Sequence, residues 1–278
     1  MRLLVGFVMV EGFRSPQNLG VGMRYEILGP LRVVDGETTI TVRARKMEIL
    51  LATLLIRSGQ VVSLDQLVTE IWSHHPPKQA TTALYVYVSQ LRKLLRRPDR
   101  AGSPIITRAP GYVLCPRADD LDLEICQALV NRGRDAYRHQ RHLEAAAAFG
   151  EALSLWRGPA LSELGDGPIV TGFVSWLEEI RLECAEKMAE SQLALGRHQE
   201  LISFLYTQVA EHPLHEAFYR QLMQALYRSE RRADALGTYA LARRTLQEEL
   251  GLEPGRALRE LQQSILLADG AVGARTAV

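Results

Sequence analysis

Between Lys78 and Arg97 the chain carries no carboxylate. At helical spacing, Leu84, Val88, Leu91 and Leu95 form one apolar stripe, while Lys78, Thr82, Tyr85, Ser89, Arg92 and Arg96 line the opposing one, with Thr81, Lys93 and Arg97 beside it. An ordinary solvated helix face mixes signs and forms ion pairs three or four residues apart. This one has hydroxyls in its first turns and cations in its last. Small hydrogen-bonding side chains suit base edges in a major groove, and Arg and Lys suit phosphates. Two further groups of cations extend the pattern. Arg43, Arg45 and Lys46 stand at the start of another helical stretch, where free backbone amides and cations together suit a phosphate. Arg108 adjoins the turn at Pro110-Gly111 between two short extended runs, placed to reach a phosphate or a minor groove.

The elements that must position these residues follow from period and punctuation. Met23–Val34 reads as a strand interrupted at Gly29-Pro30, Asp35-Gly36 as a hairpin turn, and the β-branched Thr38–Val42 as the returning strand. From Arg45 the period becomes helical through Ile49, Leu50, Thr53, Leu54 and Ile56, and it stops at Ser58-Gly59. After a short extended Val61-Val62, Ser63 caps a helix over Leu64–Trp72, with Gln66 completing a capping box. His74-His75-Pro76-Pro77 breaks that helix ahead of the basic one, Lys78–Arg97, and the extended runs Ile105–Arg108 and Gly111–Leu114 follow. Two strands, two helices, a basic helix and a hairpin make the order of a winged helix.

Composition excludes several classes. Of 278 residues, 47% are hydrophobic and 23% charged, which is too apolar for a disordered chain. No apolar run approaches the ~20 residues of a membrane span. Three scattered cysteines (Cys115, Cys126, Cys184) make no disulfide framework and no CxxC pair, and a reducing cytosol fits them. The pairs His74/His75, His139/His142 and His212/His215 lack acidic or Cys partners, so no metal is expected. No phosphate loop, dinucleotide fingerprint, zinc-protease motif or nucleophile elbow occurs, so neither catalysis nor a cofactor is expected. Trp72, Trp156 and Trp176 are expected in the core. The net charge of +1 conceals a split: residues 23–115 hold 13 basic and 7 acidic residues, whereas residues 116–278 hold 18 and 24. Such asymmetry points to one part that meets a polyanion and another with a different task. Residues 1–22 begin with a short apolar run but lack a signal-peptide cleavage site, and they read as a flexible extension, with a natural start at Met23 as the alternative.

Beyond residue 121 no strand-like alternation occurs. The stretch to residue 268 reads as about seven helices with breaks near Gln140, Gly158–Gly167, Gly196, His212-Pro213, Glu230 and Gly251–Pro254. Gly133, Ala145, Phe149 and Ala152 match a tetratricopeptide hairpin, and Ala235, Tyr239 and Ala242 repeat its second half. Residues 269–278 read as a disordered tail.

The Leu28-Gly29-Pro30 strand, the Arg45-Lys46 helix start, "LDQLVTEIW", "YVSQLRKLL" and "GYVL" resemble an OmpR-type winged helix. In detail they resemble the Streptomyces antibiotic regulatory protein (SARP) family, in its small two-domain form. "ALSLWRGPAL", "EHPLHEAFYRQLMQALYRSERRADAL" and "TYALARRTLQEELGLEPGRALRELQQSIL" are similar to the bacterial transcriptional activation domain that accompanies the winged helix there. The resemblance implies a mainly α protein: an α+β winged-helix DNA-binding domain over 23–115, followed by an all-α tetratricopeptide-like activation domain over 121–268. It implies a transcriptional activator of a secondary-metabolite gene cluster, binding tandem direct repeats in double-stranded promoter DNA as a homodimer. It further implies recruitment of RNA polymerase holoenzyme through the sigma factor, alpha or beta subunits, in the cytoplasm at the nucleoid. Thr82, Tyr85, Ser89 and Arg92 would then be recognition-helix contacts. Two other readings remain open: a helical-repeat interaction module whose winged helix docks protein, and a ligand-sensing regulator with a small molecule in the helical groove.

Overall fold

The computed structural model describes residues 23–73, 75–96, 102–116, 121–161, 164–165 and 167–267. The expectations for residues 1–22, His74, Arg97 and 269–278 therefore lie outside the described residues. The chain divides into two compact units. The first takes the described residues up to Glu124 together with Gly158–Gly172, and the second takes Ile125–Arg157 and the residues from Phe173 on. No described helix is long and apolar enough to cross a membrane.

In the first unit, β1 (Met23–Glu26), β2 (Arg32–Asp35) and β3 (Thr38–Ile40) form an antiparallel sheet in that order. Sequence alone reads Met23–Val34 as one interrupted strand. The structure makes it two strands, with Tyr25 opposite Val33. The reversal works because its backbone groups find distant partners. The Ile27 and Leu28 N–H groups donate to the Asp122 carboxylate at 2.9 and 3.0 Å, and the Gly29 carbonyl accepts from the Leu161 N–H at 2.9 Å. Next come α1 (Arg45–Ile56), β4 (Val62–Ser63), α2 (Leu64–Trp72), α3 (Ala80–Leu94), β5 (Ile105–Arg108) and β6 (Gly111–Leu114), with a second sheet in the order β4-β6-β5. The capping box of α2 forms as the sequence implies: the Gln66 N–H donates to Ser63 Oγ at 3.2 Å, and the Ser63 N–H donates to Gln66 Oε1 at 3.0 Å. Every residue of α1 from Ile49 to Leu55 is buried, so this helix is the centre of the core. The apolar stripe of α3 (Leu84, Val88 and Leu91) packs inward together with Leu95 just beyond the helix.

One buried acid organises this unit. Glu70 of α2 is 2% exposed. Its carboxylate accepts from the Ile169 N–H at 2.9 Å and the Val170 N–H at 2.8 Å, in the first turn of α6 (Pro168–Ala194). A helix start leaves its first amides without intrahelical partners and carries a partial positive charge. Glu70 satisfies both, from a residue far off in sequence. Pro168 at the first helical position has no N–H to leave orphaned. Sequence reading assigns residues 158–167 to a break inside the helical domain, whereas here Gly158–Gly172 packs with the winged helix.

The second unit is helical: α4 (Asp122–Arg138, which crosses the boundary), α5 (His142–Ser154), most of α6, α7 (His198–Glu211), α8 (Glu216–Arg228), α9 (Arg232–Leu250) and α10 (Arg256–Leu267). The breaks at Gln140, Gly196, Glu230 and Gly251 fall on left-handed backbone, as expected where one helix reverses into the next. At Gly133 a Cβ would lie 2.8 Å from the Phe149 ring, so the close approach of α4 and α5 needs a glycine. Ala145, Phe149, Ala152, Ala235 and Ala242 are fully buried, as a tetratricopeptide-like hairpin requires. Trp72 and Trp156 are half-buried. Trp176 departs from the core expectation: it is 41% exposed and rests its ring against Phe173, because Phe173, Leu177 and Cys184 take the buried stripe of α6.

A polar network crosses three of these helices. Glu190 accepts from Tyr137 at 2.7 Å, Lys187 at 2.8 Å and Arg220 at 3.0 Å, while Glu186 faces His215 at 3.2 Å. For Glu190, burial pushes the carboxyl pKa up, but the hydrogen bonds from Lys187 and Tyr137 outweigh it and hold it below the ordinary 4.5. For Glu186 the His215 contact lowers it first, against burial. A carboxylate whose folded pKa is depressed stabilises fully above its unfolded value, and that contribution is lost as pH falls through the folded one. Thermal melting of the helical unit is therefore expected to weaken as pH drops below the ordinary 4.5. The Glu190→Gln variant should start less stable at neutral pH and lose less on acidification.

Candidate nucleic-acid interface

Thr82, Val86, Ser89, Gln90 and Lys93 lie exposed on the side of α3 turned from the core, and Thr81 and Tyr85 are exposed on its flank, with Lys78 before the helix and Arg96 after it exposed too. Tyr85 and Val86 are each 49% exposed. At ~100° per residue, Val86 and Lys93 point within about 10° of the direction opposite the buried stripe, with Thr82 beside them. Arg92 points elsewhere, about 110° away, toward the hairpin. Its Nε donates to the Ile105 carbonyl at 3.0 Å, its NH2 donates to Thr107 Oγ1 at 2.8 Å, and its guanidinium lies 5.6 Å from the Tyr112 ring centre. Arg92 thus ties the end of α3 to the β5–β6 hairpin. Burial raises the Tyr112 hydroxyl pKa, with the Arg92 charge acting in the other direction.

The hairpin is seated by backbone. Arg108 pairs with Gly111 across the two-residue turn Ala109-Pro110, whose peptide bond is cis. Gly111 in turn pairs with Ser63 of β4, and the Leu64 N–H donates to the Pro110 carbonyl at 3.3 Å. A Cβ at Gly111 would lie 1.8 Å from the Val62 carbonyl oxygen, so only glycine admits this approach. Arg108 is exposed beside the turn.

Arg43, Arg45 and Lys46 are exposed around the start of α1, whose N-terminus has no side-chain cap. Lys46 Nζ sits 5.1 Å from the Trp72 ring centre, and Trp72 stacks on Tyr87 of α3 at 6.2 Å. This ladder links the cation at the start of α1 to the middle of α3. The ring face attracts the ammonium without neutralising it.

The cations around α3 differ from many in the helical unit, though Arg228, Arg244 and Arg259 there also lack a carboxylate partner among the described residues. Among the described residues, none of Arg43, Arg45, Lys46, Lys78, Lys93, Arg96 and Arg108 has a carboxylate partner. In the helical unit Arg134 is held in a two-pronged pair by Glu183, Arg141 by Asp135 and Glu144, Arg220 by Glu190, and Arg243 by Glu253. A cavity of about 510 Å³ there, lined by Asn131, Arg134, Tyr137, Arg138, Glu183 and Lys187 among others, is likewise charge-paired. Among the described residues no group of three or more His, Cys, Asp or Glu could hold a metal. His212 and His215 pack on the Phe218 ring.

Sequence reading missed Val86 and Gln90 and gave Arg92 no part in holding the hairpin. The wheel carries the first signal, since Val86 lies opposite the centre of the leucine stripe. Nothing local announces the Arg92 contacts, which cross 13 and 15 positions.

Residues 121–266 match the family described as bacterial transcriptional activator domain, and residues 37–114 match that described as transcriptional regulatory protein, C terminal. The chain is 36% identical to regulatory protein DnrI of Streptomyces peucetius over 89% of this chain and 93% of DnrI. It is 36% identical to transcriptional regulator RedD of Streptomyces coelicolor over 92% of this chain and 73% of RedD. Against regulatory protein AfsR of Streptomyces griseus it is 36% identical over 89% of this chain but spans only 25% of AfsR. Among solved structures, Mycobacterium tuberculosis EmbR in complex with a low-affinity phosphopeptide superposes with a TM-score of 0.81 at 34% identity, covering 88% of this chain and 65% of that one.

Proposed function

We propose, from the premise that this chain belongs to the Streptomyces antibiotic regulatory protein family of transcriptional activators, that its first unit reads promoter DNA and its second engages RNA polymerase. In this reading α3 enters the major groove with Thr81, Thr82, Tyr85 and Ser89 toward base edges. Lys78, Lys93 and Arg96 contact phosphates at the two ends of the helix. Arg92 holds the hairpin in register, Arg108 follows the backbone or the minor groove, and Arg43, Arg45 and Lys46 meet a phosphate at the start of α1. One winged helix reads few base pairs, so two protomers on direct repeats about one helical turn apart add contacts and specificity. The acidic helical unit is a poor DNA ligand and offers a surface to the sigma factor, alpha or beta subunits. The target is a secondary-metabolite gene cluster and the place of action the cytoplasm, at the nucleoid. No catalytic step belongs to this reading.

The observation that carries the proposal is the set of exposed cations without carboxylate partners among the described residues, gathered around a neutral hydrogen-bonding helix face. Phosphate binding releases counterions, so about six contacts predict a slope near −5 for log K against log[salt]. Titration of promoter DNA across salt concentrations checks it, and footprinting with and without polymerase tests repeats and recruitment. A flat slope with no preference for direct repeats would instead favour a protein-docking winged helix or a ligand-sensing regulator.

A further inference from the structure

The outward edge of α3 includes two uncharged side chains of different chemistry, and we propose that both read bases: Val86 packs on the C5-methyl of a thymine, and Gln90 pairs with an adenine. This rests on the DNA-binding reading of α3 above.

Three observations support it. First, direction: Val86 points within about 10° of straight away from the core stripe, and Gln90, one turn on, within about 50°. Both are exposed, Val86 at 49%, and among the described residues the Gln90 amide has no hydrogen-bond partner. Second, the chemistry of the neighbours: Thr82, Val86, Ser89 and Gln90 make a neutral centre, and Lys78, Lys93 and Arg96 lie toward its ends. Cations grip phosphates whatever the sequence, so a neutral centre inside a cationic rim is where sequence is read. Third, residue type: valine is a middling helix former, yet Val86 stands on the exposed side of α3 with about half its surface open. The thymine methyl is the apolar feature of the major groove, and a glutamine amide matches adenine N7 and N6 with one donor and one acceptor. Four residues advance a helix by ~6 Å, against ~3.4 Å per base pair. The two bases therefore lie within about two base pairs of each other in each repeat.

Atom-level changes in the DNA test each contact. The tightest-binding duplex is recovered from a randomised pool with the full chain. Each thymine in turn is then replaced by uracil, which removes only the methyl, and each adenine by 7-deazaadenine, which removes only the N7 acceptor. At one thymine, uracil should weaken wild-type binding about three- to fivefold and should not weaken Val86→Ala binding further. At one adenine, 7-deazaadenine should cost wild type at least about fivefold and cost Gln90→Ala nothing more. Val86→Thr, which keeps one methyl, should fall between, and unchanged melting temperatures would confirm intact folding. If every uracil and every 7-deazaadenine costs wild type and variants equally while the steep salt slope persists, the base assignment is wrong and the DNA-binding reading stands. If the pool yields no preferred duplex and the salt slope is flat, the DNA-binding reading fails and this assignment with it.

Discussion

Replacing Glu70 by alanine is expected to unfold the first unit at markedly lower temperature, with a loss of about 2–5 kcal/mol. The carboxylate is 2% exposed and accepts from two amides at the start of α6. Truncation leaves the Ile169 and Val170 N–H groups without an acceptor in a place water reaches poorly, at ~1–3 kcal/mol for each buried donor left unmade. It also removes a negative charge from the positive end of a helix. Glu70→Gln keeps an acceptor oxygen and should lose roughly half as much. The partner substitution is Gly167→Ala, whose methyl would sit 2.2 Å from Glu70 Oε1 and 2.9 Å from the Glu70 carbonyl. Because both changes break one arrangement, the double variant should be more stable than the two separate losses predict. Thermal melting of the four proteins reads the cycle. Additive losses would show that Glu70 and Gly167 act independently.

Gly111→Ala is expected to have the largest effect of any single methyl in the winged helix, about 4 kcal/mol or more. The added carbon would meet the Val62 carbonyl oxygen at 1.8 Å and the Ser63 Cα at 2.8 Å. Both are backbone atoms of β4, so no side chain can swing aside. Relief requires β6 to leave β4, which unseats the hairpin and with it the Ile105 and Thr107 acceptors of Arg92. The Gly59 N–H, which donates to Leu114 at 2.9 Å, should lose hydrogen-exchange protection. DNA affinity should fall even where the protein still folds, because the hairpin no longer braces α3. Full protection at Gly59 in the variant would sink the argument.

Much of the fold was legible because it is written in short-range period. The stripe Leu84-Val88-Leu91-Leu95, the Ser63–Gln66 capping box and the helix reversals at Gln140, Gly196, Glu230 and Gly251 depend on residues within a turn or two of one another. The reversal at Gly29-Pro30 reads from sequence as an interruption, since its backbone groups are satisfied by Asp122 and Leu161, roughly a hundred or more positions away. For the same reason Arg92 looked like one more cation on a basic face until the hairpin supplied its acceptors.

By itself, then, the sequence determined the architecture, the family and the charge division: a basic winged helix ahead of an acidic helical domain. Apolar periodicity and net charge are local or additive properties, so they survive without coordinates. Only the tertiary structure decided which cations lack a carboxylate partner among the described residues, which side chains form the outward edge of α3, and that Gly158–Gly172 packs with the winged helix. Those are pairings between distant residues, settled by which buried donor meets which acceptor, and no window of neighbouring residues contains both partners.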